Sequence, residues 1–489
     1  MAPDETDTPA HALASHHAEE SLPGTANAIT AARGMNHTTP QPSHPEAPRN
    51  DWPRRLGRFV PESRARMILI AGCVLMLLLS AWWIIALPKS SDQWFYKQWS
   101  RVVTTEGISA AYSGVPPAGY SDYPPFFLYP WKVEGHIYQR FVDPEFDGDR
   151  MLVSDAHTFG ISMIAVIFHL AVGLGLYWLA KIRHGRGVGT TIALLYLLNP
   201  AVLYNIAYLG LPDSVHSLWL VLAFGLAEAG RIPAGWAAGM LAFLTKPQAW
   251  GLGPLFLWRR FCSDAMRKNA AGIAAAAAAM ALVIAPFIFN GKLGALCALP
   301  SHMANVQPFV STQAHNLWWL ATGGRGMEVL DDARLLGPLS YRQVSLTLLC
   351  LSGLLTLWLS RRAKPEVFLQ LPAFQAFAWF CLTTRAHENH WFFVLPLAAL
   401  ALATNRRMLW IFLAISATGL VNLVLHDESI EEWMFAFMSA KGDRIVQVIN
   451  SAANLTILAA WTVWLVRDRL RDARREEGRH SLTALSRGD

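Results

Sequence analysis

Long apolar runs separated by short, often basic breaks dominate the chain after its first sixty residues. Met67–Leu87, Thr158–Ala180, Val188–Ala207, Asp213–Ala229, Asn269–Asn290, Tyr341–Ser360, Glu366–Thr384, Trp391–Thr404, Met408–Leu425 and Arg444–Val466 each read as a membrane-embedded helix. Ala234–Trp258 is long enough for one more, but Lys246-Pro247 interrupts it and basic residues flank both ends. It predicts two short helices forming a re-entrant-like hairpin, since non-helical backbone at depth is tolerated where it lines a polar cavity. With the hairpin counted as two, the pattern predicts about twelve helices in an all-α polytopic membrane protein.

Composition agrees with the pattern. The chain of 489 residues is 53% hydrophobic and only 16% charged, against about 25% charged in a soluble protein. The net charge of +6 is not a nucleic-acid signal, because Lys and Arg gather in short loops where the positive-inside rule holds them in the cytoplasm. The Arg54–Arg66 collar, Lys181–Arg186, Arg231, Arg259-Arg260, Arg361-Arg362, Arg406-Arg407 and the tail after Arg467 are then all cytoplasmic, as are both termini. Five cysteines lie in or beside apolar runs without metal-ligand spacing, which predicts buried thiols and no disulfide framework.

The same parity puts four polar groups outside: Asp92, Asp122, the His315-Asn316 segment and Arg385–His390. The loop 88–156 carries the first two. Trp94, Phe95, Tyr96 and Trp99 follow Asp92 and suit a helix lying at headgroup level. An acid in aromatic surroundings is a candidate general base, although an acid just past a span is also an ordinary surface residue. Asp122 precedes Tyr123-Pro124-Pro125, where an Asp capping a turn is equally routine. Arg385-Ala-His387-Glu388-Asn-His390 is the densest polar cluster in the apolar half, suited to binding an anion or relaying a proton. His387 and His390 lack a matching partner pair, so no metal site is assigned. Lys246 is an ionisable group inside a hydrophobic hairpin and is functional by default, or else a snorkelling side chain. Asp213 reads as a helix cap or a second site acid, and Trp318-Trp319 as interface aromatics.

In order along the chain, Asp92-Gln-Trp-Phe-Tyr-Lys-Gln-Trp, Asp122-Tyr-Pro-Pro, Asn316-Leu-Trp and His387-Glu388-Asn389 resemble the motifs of the GT-C superfamily of integral-membrane glycosyltransferases. The likeness covers roughly residues 67–400. It is nearest to bacterial mannosyltransferases related to the glycosylphosphatidylinositol mannosyltransferases, and to the dolichyl-phosphate-glucose glucosyltransferases of N-glycan assembly. The resemblance implies an inverting enzyme moving mannose or glucose from a polyprenyl-phosphate donor to a lipid-linked or glycan acceptor hydroxyl on the non-cytoplasmic face. It implies Asp92 as general base and Arg385, His387, His390 and Lys246 facing the donor phosphate. Asp122, Tyr123, Asn316, Trp318, Glu388 and Asp213 would shape the sugar or acceptor site. Metal-free, cofactor-free catalysis in a bacterial inner membrane, with a periplasmic site, is the expectation.

The implied domains are a disordered cytoplasmic tail (1–60), a catalytic module (61–405), additional helices (406–466) and a basic tail (467–489). A transporter or lipid flippase is the rival reading, since it would share the spans, the broken hairpin and Lys246.

Overall fold

The structure is a computed structural model and describes residues 51–87, 89–112, 121–303, 306–361, 363–427, 430 and 440–485. Residues 1–50 of the expected disordered tail (1–60) and most of the acidic loop Asp427–Asp443 therefore lie outside the described residues. Residues 51–60 depart from the expected disorder: the short helix Trp52–Gly57 buries Leu56, and Trp52 Nε1 donates to the Leu402 carbonyl at 2.7 Å.

The chain is helical almost throughout; a two-stranded ribbon, Arg334–Leu336 with Leu339–Ser340, is the sheet among the described residues. Among the described residues, six helices are long and apolar enough to cross a membrane: Ala65–Ala86, Asp155–His184, Met266–Phe289, Tyr341–Ser360, Arg406–Val424 and Gly442–Arg475. A bent pair, Arg186–Leu197 and Pro200–Tyr208 at 47°, makes a seventh when taken together as one span. The remaining apolar runs fold as shorter helices: Asp213–Glu228, Gln370–Leu382 and Val394–Leu400 pack inside the bundle, while Ile232–Phe243 and Gly253–Ser263 bury one side and leave Phe243, Leu257, Trp258 and Phe261 exposed. That interior placement is why Gln370–Leu382 is buried nearly all round, whereas Ala65–Ala86 presents much of its surface outward.

The hairpin forms as expected. Ile232–Phe243 ends, Lys246 is extended, Pro247–Leu252 makes a tight 3₁₀ turn, and Gly253–Ser263 leaves. Its basic end is held by an internal ion cluster: Glu228 receives both Arg259 (3.0 Å) and Arg260, and Arg260 also reaches Asp264 at 3.0 Å. The last helix runs on from Ala440 to Leu485, through the expected basic tail. The thiols differ from expectation. Cys381 is buried, but Cys262, Cys297 and Cys350 are exposed, because apolar helices in lipid need no protein cover on their outer sides.

The first loop is a compact cap. Helices Gln93–Thr105 and Leu128–Phe141 pack together around Tyr96, Trp99, Phe127 and Trp131. Tyr96 and Trp99 thus build a core; of the aromatics expected at headgroup level, Trp94 keeps the exposed ring. Glu134 is the polar pin of this cap, accepting from Ser100 Oγ at 2.8 Å and lying 3.3 Å from His157 Nε2.

Candidate active site

Asp92 is placed by an unusual lock between two loops. Gly210 has φ +73°, and the turn Tyr204–Tyr208 before it is a π-turn, so the backbone between the bent span and helix Asp213–Glu228 turns its carbonyls sideways. Four consecutive carbonyls are then taken up from the start of the first loop. Lys89 Nζ donates to those of Ala207 (3.1 Å) and Tyr208 (3.0 Å), the Ser90 N–H to Leu209 (3.2 Å), and Gln93 Nε2 to Gly210 (2.8 Å). Asp92 sits within this clasp, at the start of helix Gln93–Thr105. The clasp fixes it relative to Asp213, three residues beyond Gly210.

Asp213 opens its helix after Pro212 and is almost fully buried. Its carboxylate receives Lys246 Nζ, Asn205 Nδ2 at 3.0 Å and Asn389 Nδ2 at 3.2 Å. One acid therefore joins the π-turn, the hairpin break and the 383–393 break. A buried carboxylate with one cation and two amides is well compensated, which is the condition for keeping an ion pair inside a protein. Lys246 also stands 5.3 Å above the Tyr123 ring, and the Phe126 N–H donates to the Leu244 carbonyl at 2.8 Å, which ties the Asp-Tyr-Pro-Pro turn to the hairpin. Tyr123 is stacked on Phe127 at 4.2 Å. Asp122 lies in the same field. Burial pushes its carboxyl up from the ordinary range, and Lys246 and His302 partly offset this.

Between helices Gln370–Leu382 and Val394–Leu400 the chain leaves helical geometry, and Arg385 takes φ +63°. His387 and His390 have ring centres 4.9 Å apart, and the His387 N–H donates to His390 Nδ1 at 3.1 Å. That acceptor role puts the proton of a neutral His390 ring on Nε2. Burial pushes His387 down to about 4, assisted by Lys246 and opposed by Asp213. Burial pushes the Glu388 carboxyl up to about 7, and the neighbouring charge of Asp92 adds to that, as does Asp213. Asp92 and Glu388, some three hundred residues apart in sequence, are thus close enough to repel one another.

Asp92, Asp122, Tyr123, Asp213, Lys246, His387, Glu388 and His390 accordingly share one electrostatic neighbourhood at the first-loop end of the bundle. Three expected site residues are engaged elsewhere. The Arg385 fork holds Asp331, with Nε to Oδ2 at 2.6 Å and Nη2 to Oδ1 at 2.9 Å. Asn316 caps Leu317–Ala321 and donates to the Thr383 carbonyl at 3.0 Å, while Trp318 is buried with Nε1 on the Leu382 carbonyl at 2.8 Å. All three brace the 383–393 segment from behind. His315 likewise stitches the last helices together, through His426 at 3.0 Å and Asn450 at 2.8 Å.

No family model matches the chain, and no curated protein matches it. Similar chains are found among solved structures. ArnT from Cupriavidus metallidurans, bound to undecaprenyl phosphate, is 13% identical, with 81% of this chain and 77% of that chain covered at a TM-score of 0.47.

Sequence reading missed Asn205 and Asp331 and gave Asn389 no role of its own, because these amide and carboxylate roles appear only once distant segments meet. It also missed His216, one turn after Asp213, buried against Phe393 with neither ring nitrogen meeting a partner among the described residues. No group of three or more His, Cys, Asp or Glu side chains is arranged to hold a metal among the described residues.

Proposed function

We propose that the protein is an inverting membrane glycosyltransferase. It moves a hexose, mannose or glucose, from a polyprenyl-phosphate donor to an acceptor hydroxyl on a lipid-linked or glycan substrate. What supports this reading is the convergence of Asp92 and Asp213 on Glu388, and of Lys246 on Asp213, His387 and His390. Inverting transfer needs a base on one side of the sugar and positive or hydrogen-bonding groups on the other.

In this reading the acceptor O–H gives its proton to the Asp92 carboxylate as its oxygen attacks the anomeric carbon. The bond from that carbon to the phosphate oxygen breaks, and the phosphate leaves with the electron pair. Lys246 is the fixed cation facing the leaving group, while neutral His387 and His390 offer N–H donors. Asp213 and Asn389 hold Lys246 and the 387–390 turn in place, and Asp122, Tyr123 and Glu388 line the sugar side. Arg385, Asn316 and Trp318 support that turn. With Lys246 supplying charge, metal-independent transfer is the reaction we expect, at the periplasmic face of a bacterial inner membrane with both termini cytoplasmic.

The test is to incubate purified protein with polyprenyl-phosphate mannose, glucose and arabinose separately and to assay released polyprenyl phosphate. Release with a hexose donor supports the reading. No release with any donor rejects it and returns the transporter or flippase reading, for which flux across proteoliposomes is the assay.

A further inference from the structure

Helix Leu128–Phe141 turns its buried face, Trp131, Glu134, Gly135 and Tyr138, toward the loop core. Its outer face carries two parallel stripes at a spacing of four residues. Val133, Ile137 and Phe141 are 62%, 56% and 79% exposed, and beside them run Lys132, His136 and Arg140. None of those three basic side chains makes an ion pair with a described residue. The acids that follow are already engaged: Asp147 caps the next helix and Glu145 pairs with Arg150 at 3.0 Å.

The depth of this helix is marked by two spans. Glu134 fills the space where a Cβ on Gly160 would stand, within the first two turns of Asp155–His184. Tyr129 Oη donates at 2.9 Å to the carbonyl of Val283, two turns before the end of Met266–Phe289. The helix therefore lies across the first-loop ends of two candidate spans. Apolar residues beside a row of cations at such ends are the composition of a helix embedded in a headgroup layer.

We propose that Leu128–Phe141 is an interfacial anchor for anionic glycerophospholipid, with headgroup phosphates on Lys132, His136 and Arg140 and acyl chains against Val133, Ile137 and Phe141. This rests on the chain's being a membrane protein and not on sugar transfer. Its consequence for the site is mechanical. Glu134 holds Ser100 of the helix that begins at Asp92, so the anchor fixes the height of the first loop above the bilayer.

The test is amide hydrogen exchange of the full chain in nanodiscs of phosphatidylcholine alone and with roughly 30% phosphatidylglycerol. We expect the 128–141 peptide to exchange roughly fivefold more slowly with the anionic lipid. The triple change Lys132→Gln, His136→Gln, Arg140→Gln abolishes that difference. The triple change Val133→Ser, Ile137→Ser, Phe141→Ser speeds exchange in both lipids, while the 341–360 span serves as the folding control. Equal exchange in both lipids, or a lipid effect that survives the glutamine changes, overturns the proposal. Protection that follows protein concentration instead of anionic lipid makes the face a contact between copies, and also overturns it.

Discussion

Lys246 and Asp213 are the residues on which the interior of the site turns. Each is nearly fully buried, and each would be left as an uncompensated charge by loss of the other. Breaking a buried pair from one side costs about 3–5 kcal/mol. Lys246→Met should therefore lower the thermal midpoint markedly. Lys246→Met with Asp213→Asn should be more stable than Lys246→Met alone, as differential scanning fluorimetry would show.

Glu388 gives a pH test with a definite sign. Its folded value of about 7 lies above the ordinary 4.5, so between those values the folded state binds the proton and the unfolded state does not. Its contribution must therefore fall as pH rises from about 4.5 to 7. His387 acts oppositely, since its folded value of about 4 lies below 6.5, and its contribution is lost as pH falls through that window. Glu388→Gln should flatten the alkaline decline in thermal midpoint and leave the acidic one, measured across buffers from pH 4 to 8. The charged members of the site were legible because ionisable residues are conspicuous in so apolar a chain. Asn205 and His216 were not, because an amide or imidazole inside a helical run carries no sign of which way it faces.

At the scale of elements, hydropathy located the long spans well. Tyr341–Ser360 lies where expected, and the hairpin broke at Lys246-Pro247. The π-turn at Tyr204–Tyr208 was hidden, since apolar periodicity reports burial and is blind to the hydrogen-bond register that makes the backbone swing. That turn feeds Gly210, where a Cβ would come within 2.4 Å of Gln93 Nε2 on top of a left-handed φ of +73°. Gly210→Ala should therefore loosen the clasp that sets Asp92. Its expected signature is a fall in turnover of about tenfold or more, given the sensitivity of general-base catalysis to placement. Donor binding should change little, because Lys246 and the imidazoles are held by other elements. Equal loss of both would mean that the turn supports the whole pocket.

For the whole molecule, the first loop caps one end of the bundle, and the Glu228–Arg259–Arg260 cluster closes the basic end of the hairpin. Glu228→Gln leaves two buried guanidinium groups short of a carboxylate, so stability should drop while activity per folded molecule is retained. The parity of spans and basic loops led to the expectation that the first loop and the 383–393 break share a face, but it did not include Lys246, whose hairpin was expected to open on the basic side. How Arg385, Asn316 and Trp318 divide between lining and bracing was not foreseeable, because that depends on Asp331 and the Thr383 carbonyl arriving from elsewhere in the fold.

The most direct measurement of the central claim is the initial rate of polyprenyl phosphate release by wild type and by Asp92→Asn, compared at equal folded protein. The proposed mechanism predicts a loss of about 10²–10⁴-fold with an unchanged thermal midpoint. Release by Asp92→Asn at the wild-type rate would contradict it.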